Sequence, residues 1–127
     1  YSNLTNSCTD NPGGTTGSTF ISSYGNGAIY TMYCNKDTAP PAIFSLFAGS
    51  FNSCMESSTV WNLWRQNKDY SYPRCQTVSF VPYWANIAKA ADGGWTGDCW
   101  LKPEPFSFAN LSKVTIGTEC HSAIANS

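Results

Sequence analysis

Apolar and polar residues alternate over residues 19–24 (TFISSY) and again over 28–34 (AIYTMYC), on either side of Gly25-Asn26-Gly27. A period of two broken by Gly-Asn-Gly predicts a β-hairpin. In its second strand Ile29, Thr31 and Tyr33 share one face, and Tyr30, Met32 and Cys34 the other. Residues 75–83 (CQTVSFVPY) alternate in the same way, with Val78 and Phe80 on one side and Cys75, Thr77 and Ser79 on the other. They predict a strand ending near Pro82. A shorter strand is predicted within residues 97–102 (GDCWLK), stopped by Pro103, and a closing strand at 113–117 (KVTIG). The period changes over 51–66 (FNSCMESSTVWNLWRQ), the helix candidate, where Cys54, Ser58, Trp61 and Arg65 fall on one side. Met55, Val60, Leu63 and Trp64 carry most of its remaining apolar weight. Ser50 and Ser53 both suit its N-cap, Ser53 with Glu56 at capping-box spacing. Residues 84–94 (WANIAKAADGG) read as a short helical turn or a loop, and Pro40-Pro41 exclude a central strand there. Residues 1–18, rich in Asn, Thr, Ser and Gly, read as an irregular arm tethered by Cys8.

Length and charge narrow the picture. The 127 residues suit one domain, 1–127. Charged residues make up 12%, about half the ~25% of an ordinary globular domain, so hydroxyls, amides and aromatics must supply the surface. A net charge of -1 without a basic patch speaks against nucleic acid as a partner. No apolar run approaches the ~20 residues of a membrane helix, so no membrane span is expected. Tyr1, in place of an initiator methionine, suits a mature chain whose leader was removed.

The six cysteines are Cys8, Cys34, Cys54, Cys75, Cys99 and Cys120, with no CxxC among them and a single histidine, His121. Zinc sites show paired ligands at short spacing, so neither a metal nor another cofactor is expected. An even count at wide spacing suits three disulfides formed in an oxidising compartment. Asn3-Leu4-Thr5 and Asn110-Leu111-Ser112 are N-glycosylation acceptors, so Asn3 and Asn110 are expected to carry glycans. Cysteines and acceptors together predict a secreted, extracellular glycoprotein.

A cysteine in the first turns of a helix (FNSCM, 51–55), one opening a strand (RCQTVSF, 74–80) and one at the head of GDCWLK form an ordered set. The set resembles the PAN/apple superfamily, most closely the apple-like domains of secreted fungal proteins, over roughly residues 19–117. The resemblance implies an α+β fold, one helix packed on a curved antiparallel sheet and stabilised by disulfides. It implies a Cys54–Cys99 bridge, with Leu101 on the face of Cys99 and Trp100 on the other. The family usually carries a second helix cysteine four residues after the first; Ser58 stands there, so Cys75 lacks its usual partner. The economical repair is Cys75–Cys120 with Cys8–Cys34. The family's habit of tying the first strand to the last gives instead Cys34–Cys120 and Cys8–Cys75. Six cysteines allow 15 connectivities, and sequence does not choose among them.

Catalytic chemistry finds little footing. His121 follows Cys120 in a C-terminal tail, and no G-x-S-x-G element accompanies it. Glu56, Asp69, Asp92, Asp98, Glu104 and Glu119 lie in no recognisable carboxylate motif, and Asp92 and Asp98 read as turn chemistry. The chain is therefore read as no enzyme. PAN/apple domains bind carbohydrate or protein, and the resemblance carries that expectation here at fold level. Aromatics on predicted loops suit it: Tyr70, Tyr72, Tyr83, Trp84 and Trp95, with Arg74, Asn86 and Asp92 for polar contacts. Trp61, Trp64 and Trp100 are assigned to packing. The alternative is a self-associating coat or filament subunit, favoured by low net charge and open strand edges.

Overall fold

The computed structural model describes residues 8, 12–24, 27–38, 41–68, 71–104, 107, 109, 111–114, 116 and 118–126. Tyr70, Asn3 and Asn110, all expected site residues, lie outside them. The fold is α+β, with one long helix on an antiparallel sheet and two disulfides. Strands β1 (Thr19–Ile21), β2 (Ile29–Tyr33), β4 (Phe44–Leu46), β5 (Thr77–Phe80), β6 (Cys99–Lys102) and β8 (His121–Ala125) form one sheet in the order β1-β2-β8-β5-β6-β4. Strands β3 (Lys36–Asp37) and β7 (Ser112–Lys113) pair separately.

The expected hairpin is β1–β2, with Ile21 opposite Ile29. Tyr30, Met32 and Cys34 point into the core, as the alternation requires. Helix α1 (Phe51–Lys68) starts at Ser50, whose Oγ accepts the Ser53 amide at 3.0 Å. Glu56 does not close a capping box; its carboxylate takes the Ser22 hydroxyl and the Ser23 amide and fastens the helix to the hairpin. Helix α1 packs on β5 and β6, burying Phe51, Cys54, Met55, Ser58 and Thr59. Val78, Phe80, Cys99 and Leu101 meet them from the sheet, and Cys54–Cys99 ties the two layers with Cα atoms 5.5 Å apart.

The opposite face of the same strands carries Thr77, Ser79, Trp100 and Lys102. A 3₁₀ turn (Pro82–Ala85) and helix α2 (Ile87–Asp92) cover it, and Val81, Trp84, Ala90 and Cys120 pack there against Trp100 and Val114.

Two elements differ from expectation. The last described strand is β8, which lies between β2 and β5 and is buried along its whole length; of the stretch expected to close the sheet, Lys113 lies in β7, which pairs with β3 outside that sheet. A strand flanked on both sides and covered on both faces does not alternate, and its Ser and Ala side chains gave no hydrophobic signal. Residues Pro12–Thr15 form a helical turn within the stretch expected to be irregular, and Cys8 joins Cys34 as the arm's tether.

The expected Cys75–Cys120 bridge is absent, and both thiols are free and buried. The β5–β8 register, Thr77 opposite Ile124 and Phe80 opposite His121, explains why. Extended by the same rule, it sets Cys75 level with Asn126 and Cys120 level with Val81. The two cysteines therefore sit at opposite ends of the ladder, about 20 Å apart at ~3.3 Å per residue, where a bridge needs roughly 4.4–6.8 Å between Cα atoms. They also lie on opposite faces: Cys75 precedes the strand, escapes its alternation and joins the core under α1, while Cys120 joins the tryptophan side.

Candidate ligand-binding surfaces

The expected site residues separate into two groups. Tyr72 stands beside α1, half exposed at 45%. Its ring meets Trp61 edge-on at 5.8 Å and Trp64 at 5.4 Å, and Trp61 stacks on Phe44 of β4 at 5.8 Å. Two bonds hold this cluster: Trp61 Nε1 donates to the Pro73 carbonyl at 3.0 Å, and Arg65 Nε donates to the Tyr72 carbonyl. Phe44 and Trp64 are exposed at 51% and 42%. With Tyr24, Leu46, Val60 and Leu101 they line a groove of about 700 Å³, with Ser53, Glu56 and Ser57 also in its wall.

Sequence reasoning missed this groove. It placed Trp64 in packing and gave Phe44 no role. Helix α1 has more bulky apolar residues than one buried stripe can hold, and Val60 and Trp64 fall outside it. That surplus was the available signal.

Tyr83, Trp84, Asn86, Asp92 and Trp95 lie on the other side of the sheet. Trp84 and Trp95 stack at 4.5 Å, and both meet Trp100 edge-on at about 6 Å. Trp84 is covered, 7% exposed, so the accessible rings here are Trp95 and Tyr83. Asn86 is committed to structure: its Oδ1 caps α2 by accepting the Ala88 and Lys89 amides at 3.0 and 3.3 Å. Asp92 is exposed at the end of α2. A cavity of about 170 Å³ lies beneath the tryptophans, lined also by Asp37, Thr38, Ser79 and Lys102. Lys102 is buried and donates to the Thr38 carbonyl at 3.1 Å; desolvation lowers its pKa, against the pull of Asp37. The indole N–H of Trp100 is buried and has no partner among the described residues.

The remaining chemical groups serve the fold. Asp98, expected as turn chemistry, is buried and accepts the Ala48 and Gly49 amides at 2.7 and 2.9 Å, fixing the entry to α1. Burial raises its pKa, and those amides oppose the shift. His121, expected in a tail, is buried in β8; its Nδ1 accepts the Asn35 amide at 2.9 Å and its Nε2 meets Glu119. Burial lowers its pKa despite that carboxylate, so the ring is held neutral with Nε2–H donating. Cys8, Cys34 and His121 cluster closely enough to share a metal ion, but the two sulfurs are joined to each other and offer no thiolate. The Cys75 thiol is pushed up to about 11 by burial, and that of Cys120 further still, so neither is a ready nucleophile. Among the described residues, no helix is long and apolar enough to cross a membrane.

No family model, curated protein or solved structure matches this chain.

Proposed function

We propose that this chain is a secreted, non-catalytic binding module of the PAN/apple-like type, recognising carbohydrate or protein ligands through exposed aromatics, with the groove beside α1 as its main ligand surface. The observation that carries the reading is the Phe44–Trp61–Trp64–Tyr72 cluster, whose rings hold one another edge-on, tilted or stacked while three of them remain near half exposed. Large rings kept in water and fixed by their neighbours are already ordered, so a ligand that covers them meets little ordering cost. Flat ring faces beside the Ser53 and Ser57 hydroxyls and the Glu56 carboxylate suit a saccharide, which presents apolar C–H faces edged with hydroxyls. Two disulfides and the absence, among the described residues, of a membrane-crossing helix are compatible with secretion. The Cys54–Cys99 bridge from helix to strand supports the family reading, while Ser58 facing Cys75 departs from it.

A glycan array followed by calorimetric titration of the best binder tests the reading. Trp64→Ala is expected to weaken that binding by about 2 kcal/mol, roughly thirtyfold, with little change in melting temperature. Unchanged affinity in both Trp64→Ala and Tyr72→Ala would remove the groove from the account. Self-association is the second reading, since edge strands β1 and β4 expose Ile21 and Phe44. Sedimentation showing filaments or large oligomers, together with an array that yields no binder, would put it first.

A further inference from the structure

The register that lays β8 against β2 also brings a sulfur and an imidazole together. Tyr33 lies opposite Ser122, so the next step along both strands sets Cys34 level with His121. Cross-strand neighbours of this kind have Cβ atoms about 4.5–5.5 Å apart. Cys8 reaches the same point from the N-terminal arm, and the two sulfurs and an imidazole nitrogen all lie within 4.8 Å of one another. Tetrahedral zinc has bonds of about 2.3 Å to sulfur and about 2.0–2.1 Å to nitrogen, which sets two thiolates about 3.8 Å apart and each about 3.5 Å from the nitrogen. The β2–β8 ladder, not the disulfide, fixes Cys34 beside His121, so two of the three ligands keep their places when the bridge opens.

The imidazole is already arranged as a ligand. Its Nδ1 accepts the Asn35 amide at 2.9 Å, so the lone pair is on that atom, and Nε2–H is turned to the Glu119 carboxylate. A ring N–H given to a carboxylate is the usual support of a metal-ligating histidine. The three side chains are buried. Two thiolates and a neutral imidazole cancel the charge of a divalent cation but leave a monovalent one with a net negative charge, which burial penalises. Sulfur donors narrow the divalent choice to zinc. Cys8 and Cys34 keep slight exposure, 2% and 6%, whereas Cys54 and Cys99 keep none, so a reductant meets the first bridge first.

We propose that Cys8, Cys34 and His121 form a zinc site in the chain whose Cys8–Cys34 bridge is reduced, so that this corner is held by a disulfide in oxidising surroundings and by a metal in reducing ones. A dithiol reductant supplies two electrons and two protons: the Cys8–Cys34 S–S bond breaks to two thiols, and the dithiol closes to its own disulfide. Zn²⁺ then displaces the two thiol protons to solvent and takes the Nδ1 lone pair in place of the Asn35 N–H.

The chain has one histidine, so its ring gives one pair of ¹⁵N signals. The labelled full chain is reduced with a phosphine, which competes weakly for zinc, until alkylation mapping shows Cys8 and Cys34 open, and is then titrated with zinc chloride. One equivalent should bind at least about a hundredfold more tightly than to the oxidised chain. The Nδ1 signal should move while Nε2 keeps its proton, and the Asn35 amide signal should shift with it. His121→Gln and Cys8→Ser should each weaken binding by more than the ~10–100-fold that a lost supporting bond costs. If reduction loosens the fold, zinc should restore the near-UV circular dichroism, and failure to restore it counts against the site. Zinc binding that leaves the ring nitrogens unmoved, as capture by Cys75 or Cys120 would, overturns the proposal. So does equal affinity for the oxidised and reduced chains, or no saturable binding at all.

Discussion

Ser58 and Cys75 face each other in the core, both fully buried, with Oγ 3.0 Å from Sγ. Replacing the hydroxyl by a thiol, Ser58→Cys, should therefore create a third bridge, from position 58 to Cys75, without moving the backbone far. The two positions are 17 residues apart in sequence. Closing such a loop removes about 10 cal/mol/K from the unfolded chain, or about 3 kcal/mol at 25 °C. Against this stands the hydrogen bond that the Tyr30 hydroxyl gives Ser58. Tyr30 keeps its contact with Thr59 Oγ1 at 2.9 Å, so that loss is about 1 kcal/mol. The net gain is about 2 kcal/mol. With an unfolding entropy near 2.1 cal/mol/K per residue, 127 residues convert this to a rise of about 7 °C in melting temperature. Scanning calorimetry with and without reductant measures the rise, and alkylation under denaturing, non-reducing conditions counts the thiols. One thiol, Cys120, should remain. Three reactive thiols would show that the bridge does not form; one thiol without a rise would refute the entropic accounting. Ser58→Ala serves as the control and should lose about 1 kcal/mol.

The unaltered protein, unfolded without reductant, should alkylate at Cys75 and Cys120 and nowhere else among its six cysteines, as peptide mapping can check. Gly97→Ala places a Cβ 2.7 Å from the Leu46 amide nitrogen, a backbone atom of the neighbouring strand, and should cost about 2 kcal/mol or more in urea unfolding. The pKa of His121 is lowered from 6.5 by burial, so the unfolded chain takes up its proton first as the medium is acidified. Stability is then full above about pH 6.5 and falls as pH drops below it, by at most about 1.4 kcal/mol per pH unit. His121→Gln should flatten that slope relative to the unaltered protein, and an unchanged slope would assign the acid sensitivity to other groups. Trp84→Ala, by contrast with Trp64→Ala, should cost about 3 kcal/mol of stability, because its ring is covered by Trp95 and Trp100.

Local pattern carried part of this structure and long-range geometry the rest. GDCWLK was legible because alternation fixes which side of a strand each residue takes: Cys99 and Leu101 face α1 and Trp100 faces away. The hairpin and α1 were legible for the same reason. Strand β4 was missed because it has three residues and follows Pro40-Pro41, where turn chemistry dominates the reading. Strand β8 was missed because its small side chains are buried by strands on both sides. That Cys75 and Cys120 do not pair follows from the β5–β8 register, which no local pattern contains. The expected binding loops were sensible as chemistry, yet a sheet stands between Tyr72 and Trp95. The groove depends on Phe44 and Trp61 meeting across 17 positions of chain, a distance that only the fold closes.

The place of β8 also sets the order in which the molecule can be made. It is the last described strand to be synthesised, and it separates β2 from β5 in the sheet. Until residues 121–125 are available, the hairpin has no neighbour and β5 has an open edge. At about 5–20 residues per second, the interval between Tyr33 and His121 lasts on the order of 4–18 s. The hairpin must persist that long, and the β4–β5–β6 half from Lys102 onward, each with an apolar face and an unpaired edge, without joining those of another chain. The Cys8–Cys34 bridge closes within the first half, and Cys54–Cys99 within the second, so each half can be stapled before the last strand arrives. Each disulfide of this chain joins two residues that are both made before the last described strand.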